Sequence, residues 1–150
     1  MKPIVRPAAL MIALFCSFLF AAAQNNTKPQ LFGNFPKSIP VSVDKLEKPF
    51  QVAEGQYVSI TLSSGFIFSG KVISNVRKYK NLHTVMISSP SFDNSIFQIS
   101  RQTNKDNSFS YVGRILNDRK ADGYKLAQEN DGKYYLTKFD ASDILPFCGH

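Results

Sequence analysis

Between residues 55 and 76 the chain reads GQYVSITLSSGFIFSGKVISNV, and apolar and polar positions alternate through most of it. Val58, Ile60 and Leu62 fall on one side of an extended chain, with Tyr57, Ser59, Thr61 and Ser63 on the other. That period of two marks a half-buried strand. Ser63-Ser64-Gly65 then supplies a turn. Beyond it Phe66, Phe68, Val72 and Val76 share a face with Gly70 and Ser74, while Ile67, Ser69, Lys71, Ile73 and Asn75 share the other. Gly70, in mid-strand and without a side chain, predicts a bulge or sharp bend. Such a bend is how a small sheet curls toward a barrel.

The same rhythm continues. Residues 82–88 (LHTVMIS), 96–102 (IFQISRQ), 109–116 (FSYVGRIL), 124–128 (YKLAQ) and 134–139 (YYLTKF) are short β-rich runs separated by polar turns. Asp131-Gly132 between the last two is a strong hairpin signal. Upstream, Asp44 followed by Glu47 has the spacing of a capping box and predicts a helical turn over 45–48, stopped by Pro49, with 50–52 extended. Residues 141–146 predict one further helical turn or an edge strand. No long helical stripe occurs. The fold class is therefore all-β: a small antiparallel barrel or sandwich of about seven short strands, an SH3-like barrel among the options, with at most one or two single helical turns.

The run from Gly55 to Val76, followed by Asn81-Leu82, resembles the first half of an Sm-like small barrel, which alternates, turns at one glycine and bends at a second. The likeness covers about thirty residues and implies local geometry only. Tyr79-Lys80 stand where Sm-like domains carry an acidic residue, and no family is recognised.

The N-terminal segment has a different pattern. Lys2 and Arg6 precede a thirteen-residue run, AALMIALFCSFLF, and then Ala21-Ala22-Ala23. A charged start, a short apolar run and a small-residue site make a cleaved secretory signal peptide over 1–23. The run is shorter than the ~20 residues a membrane-spanning helix needs, so no transmembrane anchor is expected after cleavage. Leu14-Phe15 before Cys16 are too bulky for a lipoprotein box. Residues 24–40 (QNNTKPQLFGNFPKSIP) have three prolines and no period, which predicts a flexible arm ahead of a single β domain over 41–150. Leu31, Phe32 and Phe35 are the side chains in it able to tuck against that domain. Asn25-Asn26-Thr27 fits a glycosylation pattern that carries no functional weight by itself. The expected location is secreted or periplasmic.

Composition changes this picture little. The whole chain carries +7; without residues 1–23, 16 Lys and Arg stand against 11 acids. A net charge of that size serves solubility and permits an anionic ligand without requiring one. Export argues against a nucleic-acid partner. Cys148 is left as the single cysteine of the mature chain, with no intramolecular partner: a free thiol, or one that pairs with another chain.

Chemistry-bearing residues are sparse. His83 lies in a strand-like run and is expected to be solvent-facing or satisfied in the core. Cys148 and His150 supply at most two of four zinc ligands. Asp118, Asp122, Glu129 and Asp131 lie in turns among cations and predict solvated loop charges. Tyr111, Tyr124 and Tyr135 are expected in the core, with the lining of a groove as the alternative. No catalytic motif occurs, so the expectation is a binding module with no catalysis, cofactor or metal of its own, acting on a protein partner. The alternative is an anion-binding barrel. Its candidate site is the basic loop Arg77, Lys78, Tyr79 and Lys80, where cations neutralise phosphate or carboxylate and Tyr79 stacks on a ring. Arg114, Arg119 and Lys120 would extend that positive face if the fold gathers them.

Overall fold

The computed structural model describes residues 28–140 of the chain. The segment 1–23 expected to be a signal peptide, the first residues of the arm, the element expected at 141–146, and Cys148 with His150 lie outside the described residues.

Eight strands form one antiparallel sheet: β1 (Ser38–Val41), β2 (Tyr57–Ser63), β3 (Phe66–Tyr79), β4 (Leu82–Ser89), β5 (Ser95–Thr103), β6 (Phe109–Leu116), β7 (Asp122–Gln128) and β8 (Tyr134–Asp140). From β2 to β8 each strand pairs with the next, and β1 adds to the far side of β8, giving the order β1-β8-β7-β6-β5-β4-β3-β2. The curled sheet brings β1 beside β2 and makes a nearly closed barrel rather than a sandwich. The expected strand count of about seven rises to eight because β1 forms inside the stretch read as an arm. Its Pro40 is tolerated because the strand is hydrogen-bonded on one side only, to β8. At the β1–β2 seam, Lys48 Nζ donates to the Ser59 carbonyl oxygen at 2.8 Å, satisfying part of the free edge.

The helical segment is α1 (Val43–Glu47), which runs into a 3₁₀ turn, Lys48–Gln51. Ser42, not Asp44, is the N-cap residue, so the helix starts two residues before the position the capping-box spacing predicts. Pro49 sits in the first turn of the 3₁₀ segment, where its missing N–H costs nothing, and continues the helical course instead of stopping it. A second 3₁₀ turn, Pro90–Phe92, links β4 to β5.

The alternation of β2 holds, with Val58, Ile60 and Leu62 inside. In β3 it breaks, and not where glycine predicted. The register slips between Val72 and Ser74, with Ile73 as the extra residue. Every later side chain changes face: Asn75 pairs with the inward Val85, and Val76 becomes 50% exposed. Gly70 serves a close approach instead. A Cβ there would stand 2.2 Å from the Ser88 carbonyl oxygen, so only glycine lets β3 pass so near β4.

The interior is filled by side chains of all eight strands, among them Phe66, Phe68, Val72, Ile87, Phe97, Ile99, Ile115, Tyr124 and Leu136, each 1% exposed or less. Residues 28–37, expected to be flexible, close one end. Phe32 is fully buried and its ring lies 5.3 to 6.2 Å from those of Tyr124, Phe92, Phe66 and Phe35. The backbone there is fixed by Asp122, whose carboxylate accepts from the Leu31 N–H (2.6 Å) and the Phe32 N–H (2.9 Å). Asp122 is only 3% exposed. Its reading as a solvated turn charge fails because an arm ninety residues upstream supplies the donors that make burial of a carboxylate tolerable. At the opposite end α1 and its 3₁₀ extension lay Leu46 and Phe50 over the mouth.

Candidate functional site

Arg77, Lys78 and Tyr79 are not in a loop. They form the last residues of β3, and only Lys80-Asn81 separate Tyr79 from its cross-strand partner Leu82. A second slip, between Arg77 and Tyr79, makes Lys78 an extra residue and gives the hairpin tip added twist. All four residues are exposed, Tyr79 by 62%, and Lys78 Nζ stands 6.0 Å from the Tyr79 ring centroid. Arg119 and Lys120 do not join them. They lie in the β6–β7 turn at the other end of the barrel, where both pair with Asp93 at 3.7 and 2.9 Å. Arg114 is placed apart again, in the middle of β6 on the outer face.

The sequence contains a signal for this surface beyond the four-residue cluster. From Gln56 to Phe92 there is no Asp or Glu, while Lys71, Arg77, Lys78 and Lys80 all occur. The fold turns that run into β2, β3 and β4, so one wall of the barrel is purely cationic. The slip at Ile73 and the strand alternation add exposed apolar side chains to the same wall: Tyr57 (74%), Ile67 and Val76 (50% each) and Ile73 (43%).

Beneath the tip, at the mouth covered by α1, His83, Arg101 and Tyr111 sit side by side across β4 to β6, with the exposed Arg77 as the next cross-strand neighbour on β3. Glu47, at the end of α1, binds two of them. Its Oε2 is 2.6 Å from Arg101 Nη1, and its Oε1 accepts from the Tyr111 hydroxyl. The Arg101 guanidinium stacks between Phe50 and Phe109, 5.0 and 4.7 Å from their centroids. Burial first, then the hydrogen bond and charge of Glu47, push the Tyr111 hydroxyl pKa far up, so it stays a donor.

His83 is neither solvent-facing nor fully satisfied. Asn75 Nδ2 donates to the Val52 carbonyl oxygen at 2.7 Å, which leaves Asn75 Oδ1 as acceptor for His83 Nε2 at 2.5 Å. A neutral imidazole donating from Nε2 has a bare Nδ1 acceptor. That atom is buried without a partner among the described residues. Burial, and then the charges of Arg77 and Arg101, lower the His83 pKa, with Glu47 opposing. Glu, Tyr and His in one cluster are proton-transfer groups, but here both Glu47 oxygens are engaged and Phe50 packs edge-on to the imidazole at 5.0 Å. The geometry is that of a clasp holding α1 to the barrel.

Two open depressions mark the outside. One, of about 400 Å³, lies between β1, the start of α1 and the β7–β8 turn, with Lys45 and Lys133 at its sides. The other, of about 440 Å³, lies on the outer face of β5, β6, β7 and β8 and is lined by Gln98, Ser100, Val112, Gly113, Arg114, Lys125 and Phe139. Among the described residues no group of three or more His, Cys, Asp or Glu is placed to hold a metal ion, and no helix is long and apolar enough to cross a membrane. No protein-family model, curated protein or solved structure matches the chain.

Proposed function

We propose that this protein is an exported binding module, secreted or periplasmic after loss of residues 1–23, that engages a protein partner through the outer wall of its barrel and performs no catalysis. The observation that carries this reading is the filled interior. Both mouths are covered, by Phe32 at one end and by Leu46 and Phe50 at the other, so recognition falls to the outside. On that outside the β2–β4 wall combines exposed Tyr57, Ile67, Ile73 and Val76 with cations and no acid. An apolar centre with a one-signed rim fits a partner surface that is apolar at its centre and acidic around it. The test is site-specific photocrosslinking from position 57 in the exported fraction, comparing the wild-type wall with an Ile73→Asp, Val76→Asp pair. A discrete crosslinked partner, lost in the pair while its melting temperature is kept, supports the reading. Equal crosslinking by both, or none by either, overturns it.

A second reading has one observation in its favour: among the described residues Arg77, Lys78 and Lys80 form no ion pair. Three free cations beside Tyr79 suit phosphate, an acidic polysaccharide or nucleic acid. Salt-dependent retention on heparin, lost when the three cations become Ala, is its expected outcome; equal retention of both proteins ends it.

A further inference from the structure

The register of the second half of the barrel places two cations face to face. Arg114 on β6 is directly opposite Lys125 on β7. Both are exposed on the outer face. Like charges directly opposite on neighbouring strands destabilise a sheet. A nearby carboxylate would normally offset that cost. Here the only polar contact of either side chain among the described residues is a long one, Arg114 Nη2 to Gln98 Oε1 at 3.5 Å.

The pair is part of a longer row. Gln98 on β5 opposes Arg114, and Thr137 on β8 opposes Lys125, so amide, guanidinium, ammonium and hydroxyl donors lie in line across four strands. Arg114 and Lys125 border the 440 Å³ depression described above, with apolar side chains on its flanks. Val112 is 59% exposed there. The Phe139 ring lies over Gly123, and a Cβ at that glycine would come within 2.7 Å of Cζ. The aromatic wall therefore depends on a missing side chain.

We infer that the outer face of β5 to β8 is a second binding site, for a phosphate or carboxylate group carried on a small ring, with the anion between Arg114 and Lys125 and the ring against Phe139. A guanidinium takes two anionic oxygens at once and the neighbouring ammonium a third direction, while the ring shields the bonds from water. The ligand's charge also removes the repulsion that the empty site carries. A volume of about 440 Å³ suits a ligand of one or two rings. The site stands apart from Arg77, Lys78 and Lys80, which lie at the tip of a different hairpin, so it does not depend on either reading above.

The test is titration of the ¹⁵N-labelled mature chain with phenyl phosphate, benzoate and phenol at low salt, following backbone amides. Saturable shifts centred on Gln98, Gly113, Arg114 and Lys125 are expected with phenyl phosphate or benzoate, and the tighter of the two names the anionic group. Phenol should leave them unmoved, and raised salt should weaken binding. Arg114→Gln and Lys125→Gln should each weaken it about tenfold or more. Lys125→Gln should not lower the melting temperature, since it removes a like-charge contact; that separates a ligand role from a folding role. Changing Arg77, Lys78 and Lys80 to Ala should leave the affinity unchanged. Absence of saturable shifts with both anions, equal shifts with phenol, shifts centred on residues 77–80, or full affinity in both Gln variants would each overturn the inference.

Discussion

The arm end and the helix end of this barrel are both closed, but by different kinds of contact. At the arm end the plug is aromatic. Phe32 is fully buried among Phe35, Phe66, Phe92 and Tyr124, and the backbone that carries it is held by charged side chains from the barrel. Asp122 takes two N–H groups of the arm, and Lys138 Nζ donates to the carbonyl oxygens of Phe32 and Phe35. At the helix end Leu46 and Phe50 provide less apolar cover, and the closure relies on side-chain pairs: Glu47 with Arg101 and Tyr111, and Asn75 with His83. An aromatic plug draws on many non-directional contacts that no proton can remove. A clasp of a few directional bonds nets about 1 kcal/mol for each, and part of it is ionisable. The helix end is therefore expected to open first, and loss of the arm end is expected to unfold the barrel.

The most damaging way to break the comparison is Phe32→Ala. The side chain has no exposed surface and its neighbours belong to four different segments, so the cavity has no single wall able to collapse into it. A loss of about 3–5 kcal/mol in global stability is expected, read from urea unfolding with one transition for the whole chain. A loss below about 1 kcal/mol would mean that the arm is only laid against the barrel and that the two ends are alike.

Glu47→Gln tests the other end with a smaller expected effect. The amide keeps the shape and one acceptor but removes the charge that balances Arg101, whose side chain is 17% exposed. A cost of about 1–2 kcal/mol is expected, well below that of a fully buried pair because both groups reach solvent. Its signature is local. Amide hydrogen exchange should quicken in α1 and at Val52 while the Phe32 amide keeps its protection. Uniform loss of protection at both ends would show that the clasp is part of the global core.

How much of this was legible in the sequence follows the range of the interactions. Strand positions were readable because alternation and turn residues are local: the run at 109–116 is β6 residue for residue, and Asp131-Gly132 does turn between β7 and β8, with Gly132 at a φ of 77°. The arm was readable only in part: Leu31, Phe32 and Phe35 stood out as side chains able to tuck against the domain, but the ordering of its backbone did not. Its prolines carry no period, and what orders it is Asp122 and Lys138, about a hundred residues further on. The face change in β3 was hidden for a related reason. Gly70 looked like the bulge, but the slip falls at Ile73 because the pairing with β4 decides it. The exposed cations Arg77, Lys78 and Lys80 stood out as a cluster in one dimension. The opposition of Arg114 to Lys125 exists only in the register of β6 and β7, and no reading along the chain brings them together.

The smallest effect is also the one that separates the two ends by chemistry alone. Burial and the charges of Arg77 and Arg101 hold the His83 pKa below its ordinary value of 6.5. In the unfolded chain that imidazole titrates near 6.5. Between the folded and unfolded values the unfolded state binds more protons, so stability rises with pH there. The contribution is complete above about pH 6.5, declines as pH falls toward the folded value, and is flat below it. The carboxylates with lowered values, Asp93 and Asp131 among them, add their own losses only in the range near and below 3.8. At mildly acidic pH the proton must enter at Nδ1, the buried atom with no partner, so its cost falls on the clasp. Lowering the pH from 7.5 to 5.5 should therefore quicken exchange at Leu46 and Val52 and leave Phe32 unchanged, by less than Glu47→Gln does. His83→Gln, which keeps a donor toward Asn75 but cannot titrate, should abolish that pH response. If the helix end of His83→Gln still loosens between those two pH values, or if Phe32 responds as strongly in the wild type, the difference between the ends is not one of ionisation.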